Sequence, residues 1–101
     1  MKKTMILAIT AMLMTPVAAM AERDGATLYN TKCMACHMTG AAGAPIVGNA
    51  EQWAPRAAKG IDALLVSATN GLNAMPPKGT CMDCTDGEMK AAIQYMLDGS
   101  K

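Results

Sequence analysis

The chain has 101 residues, with 9 basic and 8 acidic side chains, no Phe, one Trp and two Tyr. That is enough for one domain, and the absence of a basic run argues against nucleic acid as a partner, because phosphate binding needs a concentrated cationic surface. A domain this small and this poor in aromatic residues struggles to fill a core with its own side chains.

Met1-Lys2-Lys3, an apolar run from Met5 to Met14 and the small-residue ending Ala19-Met20-Ala21 have the form of a secretory signal peptide. Residues 1–21 are therefore expected to be leader and residues 22–101 the working domain. The competing reading is an uncleaved anchor, but Thr10, Thr15 and Pro16 interrupt the run and leave it short for a span. No later segment is apolar enough to cross a membrane, so no stable membrane insertion is expected. Without Lys2 and Lys3 the domain carries seven basic against eight acidic residues, a net charge of −1.

In chain order, Asp24 can cap a first helix from about Gly25 to Cys36. A glycine-rich loop, Gly40 to Pro45, follows, placed so that a proline carbonyl can accept the second imidazole N–H of His37 and fix the ring. Glu51 to Lys59 reads as a short helix disturbed or started by Pro55, and Ile61 to Thr69 as another, stopped by Asn70-Gly71. Asn73 to Gly79 contains Pro76 and Pro77 and is not helical. Thr85-Asp86-Gly87-Glu88 has the capping-box pattern, and Met89, Ala92, Ile93, Met96 and Leu97 behind it follow helical spacing. With no strand signal and no internal repeat, the expected class is all-α, with about four short helices.

The chemistry is concentrated in Cys33-Met34-Ala35-Cys36-His37, a CxxCH haem-attachment pattern. Cysteines three apart on a helical turn share a face, so each thiol can form a thioether to one vinyl group of the haem. His37 then falls beneath the iron as an axial ligand. A flat, largely apolar macrocycle would also fill the core that the composition lacks. Two other readings compete: a thioredoxin-like redox pair, which expects a βαβ pattern not seen here, and a zinc site of four cysteines, for which the 44 residues between the pairs are too many.

The second axial ligand is sought among Met34, Met38, Met75, Met82, Met89 and Met96. Met34 and Met38 flank His37 too closely, Met89 and Met96 fit core positions of the last helix, and Met82 is constrained between Cys81 and Cys84. Met75 lies on the proline-stiffened loop, 38 residues beyond His37, and is the preferred metal ligand, against the alternative that it only fills the core. A thioether favours ferrous iron, and a filled sixth site leaves no room for substrate. The pair Cys81/Cys84 has no histidine after it; in an exported chain a local disulfide is favoured over free or redox-active thiols. Trp53 and Arg56, three apart, can reach haem propionates from one helix face, or can be plain core and plain surface.

Taken together, Leu28-Tyr29, the CxxCH segment, Gly43-Ala44-Pro45, Trp53 and the stretch from Met75-Pro76-Pro77-Lys78-Gly79 through Cys81-Met82-Asp83-Cys84 to Met96 resemble the cytochrome c5 family of small monohaem cytochromes. The resemblance implies the cytochrome c fold, first and last helices packed across each other, and one covalent haem c held by Cys33 and Cys36 and ligated by His37 and Met75. It also implies a Cys81–Cys84 disulfide and a periplasmic single-electron carrier that is not an enzyme. Redox-protein donors and acceptors, such as a terminal oxidase or reductase, would be its partners. The alternative class is a haem peroxidase or oxidoreductase subunit, which would need an open sixth site.

Overall fold

The computed structural model describes residues 22–101; the leader and its expected cleavage site lie outside the described residues. Helix α1, Gly25–Leu28, starts where the Asp24 carboxylate accepts the Thr27 N–H at 2.8 Å, satisfying one of the donors that a helix start leaves free. It continues through a π turn, Tyr29–Cys33, into α2, Met34–His37. In the wide turn the Met34 N–H reaches back to the Tyr29 carbonyl, so the register shifts just before the CxxCH cysteines. No glycine or proline marks this turn, so the stretch expected as one regular helix is divided by it.

After a 3-10 turn at Ala41–Gly43 comes α3, Ala50–Ala57, capped by Asn49, whose side chain accepts from the Gln52 N–H at 3.0 Å. Pro55 sits inside α3 rather than at its start. Its missing N–H removes one rung of the helix, and α3 stops at Ala57, short of the expected Lys59. Helix α4, Ile61–Asn70, ends at Gly71, whose φ of 91° suits glycine. A 3-10 turn, Pro77–Thr80, precedes α5, Asp86–Asp98. The capping box of α5 is complete: Thr85 Oγ1 accepts the Glu88 N–H at 3.0 Å, and Glu88 Oε1 accepts the Thr85 N–H at 2.9 Å. Among the described residues there is no strand, only an isolated bridge between Leu72 and Met75.

The first and last helices cross as the resemblance implied, because both present their apolar faces there. At the crossing Gly25 lies so close to Ala91 that a β-carbon would collide with the Ala91 carbonyl. Tyr29 and Tyr95 meet beside it with ring centres 5.4 Å apart. Helix α4 packs along α5, and Leu28, Ala68, Met89, Ala92 and Ile93 form one core with the two buried sulfurs of Cys81 and Cys84. Leu28 is only 1% exposed, and burying such a side chain contributes about 1.5–3 kcal/mol. Tyr29, Trp53 and Met96 make a second, smaller cluster. No helix among the described residues is long and apolar enough to cross a membrane.

Candidate functional site

His37 ends α2 and is buried. Its Nδ1 lies 2.9 Å from the Pro45 carbonyl oxygen. A carbonyl only accepts, so Nδ1 carries the proton and Nε2 keeps a free lone pair. The Gly40–Pro45 loop thus fixes the ring, as its position in the sequence suggested. The loop is itself fastened: the Val47 N–H donates to the His37 carbonyl at 2.8 Å, Ile46 N–H to Gln52 Oε1 at 2.8 Å, and Trp53 Nε1–H to the Ile46 carbonyl at 3.0 Å. The Trp53 N–H, weighed above as a propionate donor, has its partner within the protein. The indole packs instead near the imidazole, with ring centres 5.9 Å apart. Gln52 and Asn49 were not singled out from the sequence, since neither belongs to a recognisable motif.

Cys33 and Cys36 are unbonded thiols. Burial pushes the Cys33 thiol up, while Cys36 is exposed. Both line one cavity together with His37, Met75, Leu64, Ala68, Ile93 and the alanine-rich turn at Ala41 to Ala44. The charged residues on its wall are Lys32, Arg56 and Lys78, with no carboxylate among the lining residues. The Arg56 guanidinium also donates to the Gln52 carbonyl at 2.6 Å.

Met75 reaches this cavity from the loop after α4. Its N–H donates to the Leu72 carbonyl at 2.9 Å and its carbonyl accepts from the Leu72 N–H at 3.1 Å. A β-carbon on Gly71 would lie 3.0 Å from the Met75 carbonyl oxygen, so the loop closes tightly against the end of α4. Met82 is 70% exposed and does not line the cavity. Met89 and Met96 line it from α5, where they belong to the buried core.

The other pair is chemically closed. Cys81 and Cys84 are joined by a 1.97 Å S–S bond and both are buried. Among the described residues, Cys81, Asp83 and Cys84 are the one group close enough to hold a metal, and two of those three have no thiolate to offer. Arg23 braces this corner: its Nε and backbone N–H donate to Glu88 Oε2 at 2.9 Å each, and its guanidinium lies 3.4 Å from Asp83 Oδ1. These bonds from Arg23, joined by the Thr85 N–H, hold the Glu88 carboxyl down at about 2. Nothing local announces this network, because Arg23 and Glu88 lie 65 positions apart.

Residues 20–96 match the protein family described as "Cytochrome C oxidase, cbb3-type, subunit III". The chain is 54% identical over 76 residues to cytochrome c5 of Azotobacter vinelandii, covering 73% of this chain and 92% of that one. It is 38% identical over 81 residues to cytochrome c-555 of Chlorobaculum tepidum, covering 76% of this chain and 75% of that one. Among solved structures, a mono-heme ferrocytochrome c from Shewanella putrefaciens superposes with a TM-score of 0.69 at 49% identity, covering 80% of this chain and 99% of that chain. A cytochrome c in an electron transfer complex with nitrite reductase superposes with a TM-score of 0.74 at 40% identity, covering 76% and 94%. A helical fold wrapped around a cavity that carries CxxCH is the architecture of a small class I c-type cytochrome; within that class, the chain belongs to the cytochrome c5 family.

Covalent haem c is the cofactor of this family, and the residues present fit it. The cavity wall is mostly apolar, it carries two unbonded thiols at one helical turn, and it has an imidazole with one nitrogen fixed and the other free. Haem held there would fill the place that the aromatic-poor composition leaves empty in the core.

Proposed function

We propose that the chain is a periplasmic single-electron carrier, exported by residues 1–21 and working as the domain 22–101. Cys33 and Cys36 would hold the haem, and His37 and Met75 would ligate its iron. The observation that carries this is one cavity onto which two free thiols, a tautomer-fixed imidazole and a loop methionine all open. Bound haem supplies iron that gains and loses one electron. The protein's part is to prepare for that change without moving. The Pro45 carbonyl holds the His37 ring by its Nδ1–H, which in the neutral imidazole leaves the Nε2 lone pair free. The Met75 thioether, soft and neutral, favours the ferrous state and so a higher reduction potential. Leu64, Ala68 and Ile93 give the cavity an apolar wall.

Partners are redox proteins, for which a cytochrome c seated on nitrite reductase in a related structure gives support. A terminal oxidase or another reductase fits the same role. A carrier differs from a haem peroxidase in having its sixth site filled. Reduced wild-type protein is therefore expected to bind carbon monoxide slowly. Met75→Ala should bind it readily, keep its covalent haem, show a lower potential and lose the sulfur-to-iron absorption of the oxidised form. Fast binding by the wild type would replace the carrier reading with the enzyme.

A further inference from the structure

We propose that Lys78 is a positioning residue for the Met75 sulfur, its ammonium tying the Met75 loop to the disulfide corner. The inference rests on Met75 being the axial ligand, as proposed above. Upstream, Met75 is fixed by its paired bonds to Leu72. Downstream, the turn closes on itself through one backbone bond, Gly79 N–H to the Pro76 carbonyl at 2.9 Å. Pro76 and Pro77 donate no N–H, and Lys78, Gly79 and Thr80 follow with φ of 57°, 55° and 71°, all left-handed and two of them not glycine. Such a run persists only where its surroundings hold it.

What ties this turn to the rest of the fold is the Lys78 side chain, which lines the cavity and donates its Nζ–H to the Cys84 carbonyl at 3.0 Å. Cys84 is bonded through sulfur to Cys81, whose N–H donates to the Lys78 carbonyl at 2.9 Å. Lys78, Cys81 and Cys84 therefore close a small brace immediately after the ligand loop. Arg23 anchors its far side through Asp83 and Glu88. The brace bears on the ligand directly: a β-carbon on Gly79 would lie 3.4 Å from the Met75 methyl, so the turn that Lys78 holds folds over the Met75 side chain. The disulfide corner, whose cysteines do not line the cavity, thereby acquires a role in placing the Met75 sulfur.

The test uses the haem-loaded protein in wild-type, Lys78→Met, Lys78→Arg and Met75→Ala forms. It reads the rate of carbon monoxide binding to the ferrous state and the temperature at which the sulfur-to-iron absorption of the ferric state fades, beside the temperature of helix loss. Lys78→Met keeps length and apolar stem but not the donor. It should bind carbon monoxide roughly tenfold faster or more, as loss of a hydrogen bond to a charged group allows. Its sulfur-to-iron band should fade well below the temperature of helix loss. Lys78→Arg, which keeps a charged donor, should stay near wild type. If Met75→Ala binds carbon monoxide fast while Lys78→Met matches wild type, or if the Lys78→Met band fades only together with the helices, the positioning role is overturned. If Met75→Ala itself matches wild type, the ligand assignment falls and takes the Lys78 inference with it.

Discussion

Two Cys-x-x-Cys segments of identical spacing stand in this chain, and they have opposite fates. Cys33 and Cys36 lie at the π turn and on α2, unbonded, at the wall of a cavity. Cys81 and Cys84 lie in the turn between the Met75 loop and α5, joined to each other and buried. Spacing gives reach in both cases; what differs is the neighbourhood. The first pair is followed by a histidine fixed by a carbonyl and keeps an open face. The second is followed by Thr85, which spends its hydroxyl capping α5, and is sealed by Arg23 and Lys78 on either side. One pair keeps its thiols free, the other holds the chain to itself.

The largest expected effect breaks the first side of that comparison. Cys33→Ala or Cys36→Ala should weaken or abolish covalent haem, and the apoprotein should be largely unfolded, since its two small clusters cannot form one core without the macrocycle. Circular dichroism and protease resistance report this; a compact, protected apoprotein would contradict it.

A second test separates the corner's anchoring from its sulfur. The Glu88 carboxyl is held at about 2 in the fold against its ordinary 4.5. The stability it contributes is therefore complete above about 4.5 and is lost as pH falls toward 2. Glu88→Gln should flatten the acid side of the stability curve over that window, and Arg23→Ala should raise the pH at which acid unfolding begins. Urea midpoints between pH 2 and 6 check both; an unchanged acid slope in Glu88→Gln would mean the pair contributes nothing to folding.

The smallest effect belongs to the disulfide itself. Cys81→Ser combined with Cys84→Ser should keep covalent haem and lower stability by about 1–2 kcal/mol, because so short a loop removes little entropy from the unfolded chain. Thermal melts measure it, and a fall several times larger would mean that the sulfurs carry more of the core than loop closure explains.

Much of this was legible in the sequence where local chemistry decides the outcome. The Asp24 cap, the Thr85–Glu88 box and the buried stripe Met89, Ala92, Ile93 and Met96 depend on neighbours three or four positions away, and all appear. The CxxCH segment, Met75 and the carbonyl of Pro45 also meet as their order implied. The rest depends on the folded chain. The π turn carries no breaker residue, and Arg23 reads as an ordinary surface cation until it meets Glu88. Trp53 was weighed for a role at the propionates, but its N–H is held by Ile46, a backbone group no side-chain pattern advertises. Gly25 looked like a helix start, and its close approach to Ala91 appears only when α1 crosses α5.

The assignment of one pair to the haem and the other to the disulfide is tested most directly by peptide mapping of the purified holoprotein. Trypsin cuts after Lys32 and Arg56, and after Lys78 and Lys90, so the two pairs fall in separate peptides, 33–56 and 79–90. Mass spectrometry should find the haem on peptide 33–56, through Cys33 and Cys36. Peptide 79–90 should carry no haem and be two hydrogens lighter than its reduced form. Haem on peptide 79–90, with Cys33 and Cys36 joined to each other, would contradict the account.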